Sequence, residues 1–139
     1  MGTTTEGARP AKSMAPERKQ RIAFLDDSPT VRLMLASVLE DAGYEPKACA
    51  QWSELRALLD SDQPDLVLLD VEMPDIVGDH IGFGLKRTNP TLRVVYLSDR
   101  DPETLAELCQ HTGVDGYIRK SSDLERLVKD IAGFLPTPA

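Results

Sequence analysis

Two cysteines and two histidines in 139 residues leave little material for a transition-metal site. Cys49 and Cys109 stand 60 residues apart, and His80 and His111 stand alone. Zinc sites draw their ligands from closely spaced residues, and this chain offers no such cluster. The cysteines read as two free thiols of a reducing compartment. Long apolar runs are also missing. None approaches the roughly 20 residues of a membrane span. The start at Met1 shows no apolar signal-peptide stretch, and Glu6 stands where a myristoylation pattern needs Ser or Thr. A cytoplasmic location is expected.

Basic charge is scarce beyond the first residues. Residues 1–21 hold Arg9, Lys12, Arg18, Lys19 and Arg21 against Glu6 and Glu17, a net of +3. The whole chain carries −7, so the remainder carries −10. An acidic domain repels phosphate backbones, which argues against direct nucleic-acid binding.

What is present is an ordinary apolar content of 41% in a 15.3 kDa chain, enough for one domain with one core. Residues 1–19 lack an apolar period and read as a disordered arm. Residues 136–139, "PTPA", read as a stub. Between them, over 20–135, strand and helix signals alternate.

Strands are expected at 21–27, 44–50, 65–70, 91–99 and 116–120. Helices are expected at 28–43, 51–60, 78–88, 101–113 and 122–135. Ser28 and Asp101 suit helix caps, with Pro29 and Pro102 in the first turns. Gly43 and Gly113 suit helix ends. Ser122 and Glu125 have capping-box spacing. Val31, Leu35, Val38, Leu39 and Ala42 share one helical face. Gly82 and Gly84 are unusual inside a helix, at about 1 kcal/mol each against Ala. A short or frayed helix is one explanation, and a mobile partner-binding segment is another. Five alternations of strand and helix predict a parallel sheet covered on both faces.

The stretch "DLVLLDVEMPD" (65–75) then poses a question. Leu66–Leu69 is the run of a strand buried on both faces, yet it ends in Asp70. Strand one closes in Asp26 and Asp27, strand four in Ser98, and strand five in Lys120. Open parallel sheets bind ligands beyond the carboxyl ends of their strands, so these five residues converge on one crevice. Two like charges 4 Å apart cost about 4 kcal/mol at an effective dielectric of 20. Lys120 offsets part of that cost. A hard cation such as Mg²⁺ suits the rest, since it takes one or two carboxylates and partners phosphate. Ser98 and Lys120 are the groups one would place around a phosphoryl oxygen. A carboxylate held there can act as a nucleophile and form an aspartyl phosphate.

The motifs "LDDSPTVR" (25–32), "DLVLLDVEMPDIVG" (65–78), "VVYLS" (94–98) and "GYIRKS" (116–121) resemble the receiver domain of two-component response regulators. The resemblance runs from about Arg21 to Leu135. It implies a flavodoxin-like, doubly wound α/β fold with five parallel strands in the order 2-1-3-4-5. It implies Asp70 as phosphoryl acceptor, Mg²⁺ (or Mn²⁺) at Asp26, Asp27, Asp70 and the backbone carbonyl of Glu72, and Ser98 and Lys120 at the phosphoryl group. Ser98 and Tyr117 take the switch positions, which remodel the face made by the fourth helix, fifth strand and fifth helix. The implied partners are a bacterial histidine kinase or phosphotransfer protein and a downstream protein effector. A monomer, or a weak dimer through the same face, is expected. No enzymatic turnover beyond self-catalysed phosphotransfer and dephosphorylation is expected.

The chain departs from the family pattern at three places. Ser121 replaces the proline after Lys120, which favours a trans peptide bond, because a non-proline cis bond costs about 2.5–4 kcal/mol. Asp99 follows the switch hydroxyl, where a small residue is usual, and it either narrows the site or adds repulsion. Glu72 and Arg100 flank the route of an attacking water, and a pair between them would slow dephosphorylation. Two other functions fit the same residues: a receiver-like scaffold that ignores phosphate, and a Mg²⁺-dependent phosphohydrolase with Asp70 as nucleophile.

Overall fold

The computed structural model describes residues 18–72 and 78–135. The first 17 residues of the expected arm, the Met73–Pro74 loop and the 136–139 stub lie outside them. Five strands alternate with five helices. They are β1 (Arg21–Leu25), α1 (Pro29–Asp41), β2 (Glu45–Cys49), α2 (Trp52–Ser61), β3 (Leu66–Asp70), α3 (Gly78–Thr88), β4 (Val94–Ser98), α4 (Pro102–Thr112), β5 (Gly116–Arg119) and α5 (Leu124–Ala132). The strands form one sheet in the order β2-β1-β3-β4-β5, and every pairing is parallel. This is the flavodoxin-like architecture expected from the alternation and the motifs.

The sheet has an apolar core on each face, and strand alternation sorts residues between them. Ala23, Leu25, Val67, Leu69, Val94 and Tyr96 point to the face that also packs Leu55 of α2 and Leu85 of α3. Ile22, Phe24, Leu66, Leu68, Val95 and Leu97 point to the other, with Leu35 and Leu39 of α1 and Leu127 and Ile131 of α5. All five residues of β3 and all five of β4 are buried. Each fully buried Leu or Val contributes about 1.5–3 kcal/mol, so these central strands are rigid mounts for whatever follows them.

Boundaries moved inward from the expected spans. β1 stops at Leu25, so Asp26 and Asp27 stand just past its end, and Lys120 stands just past β5. Ser28 caps α1 by accepting from the Val31 N–H. Asp101 caps α4, whose end falls at Gly113 in the left-handed region, φ 82°. The expected capping box at Ser122 does not form. Asp123 caps α5 instead, accepting from the Arg126 N–H at 3.2 Å, while the Ser121 hydroxyl accepts from the Asp123 N–H at 3.0 Å. An anionic cap one residue later suits the positive end of the helix better than a neutral hydroxyl.

Gly82 has a packing reason. A Cβ there would collide with the Tyr96 hydroxyl, which reaches across from β4 and donates to Thr112 Oγ1 of α4 at 3.1 Å. Gly84 faces open space. α3 runs the 11 residues expected, with both glycines inside it. Cys49 and Cys109 are both free thiols. Burial pushes the Cys49 thiol up to about 11, which keeps it protonated and inert. Arg18, placed by sequence in the arm, reaches Asp65 at 3.7 Å. Among the described residues no helix is long and apolar enough to cross a membrane.

Candidate functional site

The ends of β1, β3, β4 and β5 meet in one crevice. Asp26 is anchored as β1 ends: its N–H donates to Cys49 O at 3.1 Å, and its carbonyl accepts from Arg32 Nη1 at 2.8 Å. Its Oδ1 accepts the Ser28 N–H at 2.9 Å. The side chain is buried at 2% exposure, whereas Asp27 beside it is exposed. Asp70 ends β3 at 5% exposure. Its Oδ1 accepts the Glu72 N–H at 2.9 Å and the Lys120 ammonium at 3.2 Å.

Lys120 is pinned through its backbone N–H, which donates to Ser98 O at 2.9 Å. Its Nζ faces three carboxylates: Asp70 Oδ1 at 3.2 Å, Glu72 Oε1 at 3.8 Å and Asp26 Oδ2 at 3.9 Å. Burial alone would depress this ammonium, but Asp70, then Asp26 and Glu72, outweigh it and hold its pKa above the ordinary lysine value. Burial pushes the Asp26 carboxyl up, and the neighbouring charge of Asp70 adds to it; the Ser28 N–H and Lys120 offset only part. Asp26 Oδ2 is buried and has no hydrogen-bond partner among the described residues, the Lys120 ammonium lying 3.9 Å away.

Asp26, Asp27 and Asp70 each offer an oxygen within 4.8 Å of the others. Hard divalent cations are held by such oxygens. A buried oxygen left unpaired normally has an explanation such as an ion or water. The residues therefore fit a divalent cation.

The far side of the crevice is built differently. Ser98, fully buried, donates to Glu72 Oε2 at 2.5 Å and accepts the Arg100 N–H at 3.0 Å. Arg100 Nε lies 3.4 Å from the same Glu72 Oε2, so the pair suggested by the sequence is present. The Asp99 N–H reaches Glu72 Oε1 at 3.4 Å. Asp99 itself is exposed, and its carbonyl accepts from Arg119 Nη2 at 3.4 Å. The Lys120–Ser121 bond is trans, for no cis bond occurs among the described residues.

Asp26, Asp27, Asp70, Glu72, Ser98, Asp99, Arg100 and Lys120 are thus brought together. Tyr117 stands apart. It lies half-buried on β5, in register with Tyr96 and packed against the α2–α4 core. Sequence reasoning missed two supports: Arg32, which holds the Asp26 carbonyl, and Tyr96, which ties β4 to α4 two residues before Ser98. Arg32 was signalled only by its place in "LDDSPTVR".

A crevice of acids, a lysine and a hydroxyl beyond the ends of a five-stranded parallel sheet is the arrangement the motifs led one to expect. The response regulator receiver domain family matches residues 22–132, and the chain belongs to that family. It is similar to the CAI-1 autoinducer sensor kinase/phosphatase CqsS of Vibrio cholerae, 31% identical over 121 residues that cover 84% of this chain but 18% of that protein. It is also 31% identical over 117 residues to protein PilH of Pseudomonas aeruginosa, covering 83% of this chain and 97% of PilH. Among solved structures, the chemotaxis response regulator CheY4 of Vibrio cholerae superposes with a TM-score of 0.76 at 25% identity, over 85% of this chain and 100% of that one. Relatives thus include nearly whole proteins of this size and small parts of much larger ones. The chain is a signalling module of two-component systems.

Proposed function

We propose that Asp70 accepts a phosphoryl group from a histidine kinase or phosphotransfer protein, and that this switches the domain between partners. The observation that carries the reading is the Asp70 carboxylate itself. It is 5% exposed, mounted on a fully buried strand, and held by Lys120 at 3.2 Å. Among the described residues, the Glu72 N–H and the Lys120 ammonium both bond its Oδ1, and Oδ2 is the oxygen assigned to attack. The step forms an O–P bond to Asp70 and breaks the donor's P–N bond, whose electron pair leaves with the imidazole nitrogen. Lys120 meets the developing charge on the phosphoryl oxygens. Asp26, Asp27, Asp70 and the Glu72 carbonyl would hold Mg²⁺ (or Mn²⁺), whose charge neutralises the phosphoryl oxygens when it is bound.

Ser98 and Tyr117 supply the switch. A hydroxyl drawn toward the phosphoryl group shifts the end of β4, and Tyr117 on the neighbouring strand follows inward. The face of α4, β5 and α5 then changes shape for a protein effector or a second copy. Glu72 and Arg100 together cover the route of the hydrolysing water and lengthen the phosphoryl lifetime.

The test is intact mass after incubation with Mg²⁺ and acetyl phosphate. An acid-stable, base-labile adduct is expected, absent from Asp70→Asn. No adduct, even with a cognate kinase, turns the reading to a phosphate-independent scaffold. Turnover of phosphomonoesters turns it to a hydrolase.

A further inference from the structure

Glu72 makes more contacts in the crevice than a water screen requires. Its Oε2 takes the Ser98 hydroxyl at 2.5 Å and the Arg100 guanidinium at 3.4 Å. Its Oε1 takes the Asp99 N–H at 3.4 Å and faces the Lys120 ammonium at 3.8 Å. Ser98 and Lys120 are the groups assigned above to the phosphoryl oxygens. A carboxylate offers two anionic oxygens to donors in the way that a phosphoryl group offers three.

The geometry points to Glu72 as an internal occupant of the phosphoryl seat: in the resting domain its carboxylate engages Ser98, Asp99 N–H and Lys120, and an incoming phosphoryl group must displace it. The inference rests on the reading of Asp70 as acceptor. It adds that the seat is filled beforehand by the chain's own anion. Arg100 is the positioning residue, since it holds the carboxylate from the solvent side, where its side chain is 46% exposed. Ser98 is thereby tethered away from the switched position. Displacement frees the hydroxyl for the phosphoryl oxygen and leaves Glu72 with Arg100 alone. One side chain thus opposes phosphorylation before transfer and guards the product after it. The Asp70 bond to residue 72 is to its backbone N–H, so removing the side chain leaves that support of the acceptor in place.

The test separates the seat from the acceptor chemistry. Sulfate is a tetrahedral dianion that cannot be transferred. It is titrated in the presence of Mg²⁺ while the backbone amide resonances of Asp99 and Arg100 are followed by NMR. Glu72→Ala should bind sulfate about tenfold more tightly than the unaltered protein, the scale of one charged hydrogen bond. Glu72→Gln keeps an acceptor for Ser98 without the charge and should fall between them. Arg100→Ala should move the same way by less. Equal sulfate affinity in Glu72→Ala and the unaltered protein, with both folded, overturns the inference. The acetyl phosphate adduct is measured on the same proteins. Tighter sulfate binding with no adduct in either keeps the occupied seat and rejects Asp70 as acceptor. Unchanged sulfate binding with adduct at equal rates keeps the acceptor and rejects the occupied seat.

Discussion

The two halves of the crevice differ in what they lack. On the side of β1 and β3, Asp26, Asp27 and Asp70 crowd together, and a buried Asp26 oxygen has no hydrogen bond among the described residues. On the side of β4, the Ser98 hydroxyl, the Glu72 carboxylate and the Arg100 guanidinium answer one another. Lys120 stands between and reaches into both. One half is short of positive charge, and the other is already satisfied. Under the proposed function that asymmetry has a consequence: a cation taken up first would relieve repulsion, while a phosphoryl anion arriving second would have to compete with Glu72.

The largest effect expected is at the acceptor. Asp70→Asn should remove all acetyl phosphate adduct, read by intact mass, while the fold persists in far-UV circular dichroism. A comparable adduct in that variant would show that the crowded half does not present the nucleophile.

Asp26 tests the charge deficit. Its folded pKa lies above the unfolded value of 3.8 because of burial and Asp70. The folded state therefore holds the proton more tightly, and stability falls as pH rises from 3.8 through the folded value. Without divalent cations, Asp26→Asn should be more stable than the unaltered protein at pH 7 by about 1 kcal/mol, the scale of one unmet buried polar group. Urea melts across pH check both the slope and its flattening in the variant. Mg²⁺ should stabilise the unaltered protein, and that stabilisation should shrink in Asp26→Asn. A less stable variant at pH 7 would contradict the deficit.

The satisfied half rests on β4, and its mounting can be broken at a distance. Gly82→Ala drives a methyl into the Tyr96 hydroxyl and should destabilise by about 2 kcal/mol, as overpacking does. Gly84→Ala, in open space, should instead stabilise by up to about 1 kcal/mol. Denaturant midpoints of the two variants on opposite sides of the unaltered protein are the expected pattern. The smallest effect is kinetic. Arg100→Ala should shorten the phosphoryl lifetime by about threefold, the scale of an exposed ion pair, measured by decay of the adduct after donor removal. An unchanged rate would reduce the pair to a surface contact.

The fold was legible because its signals are local and repeated. Apolar runs such as Leu66–Leu69 and caps such as Ser28 and Asp101 each speak for a single element. The crevice was legible because the strand ends carry its residues. What stayed hidden depends on packing between elements. "DD" at 26–27 does not say which acid is buried, because that depends on where β1 stops. Gly82 is a cost by helix propensity, and only the Tyr96 hydroxyl packed against it gives the reason for it. The Asp123 cap differs from the expected Ser122 by one residue, a choice settled by the loop geometry of Ser121. The Glu72–Arg100 pair followed from flanking positions in the motif, but the grip of Glu72 on Ser98 follows from side-chain directions across two strands, which no spacing reveals.

The most direct measurement of the central claim is the chemical location of the adduct. After incubation with Mg²⁺ and acetyl phosphate, borohydride reduction converts a phosphorylated aspartate to homoserine, which peptide sequencing by mass spectrometry locates. The account predicts homoserine at position 70 alone. Homoserine at 26 or 27, or at no aspartate of the chain, would contradict it.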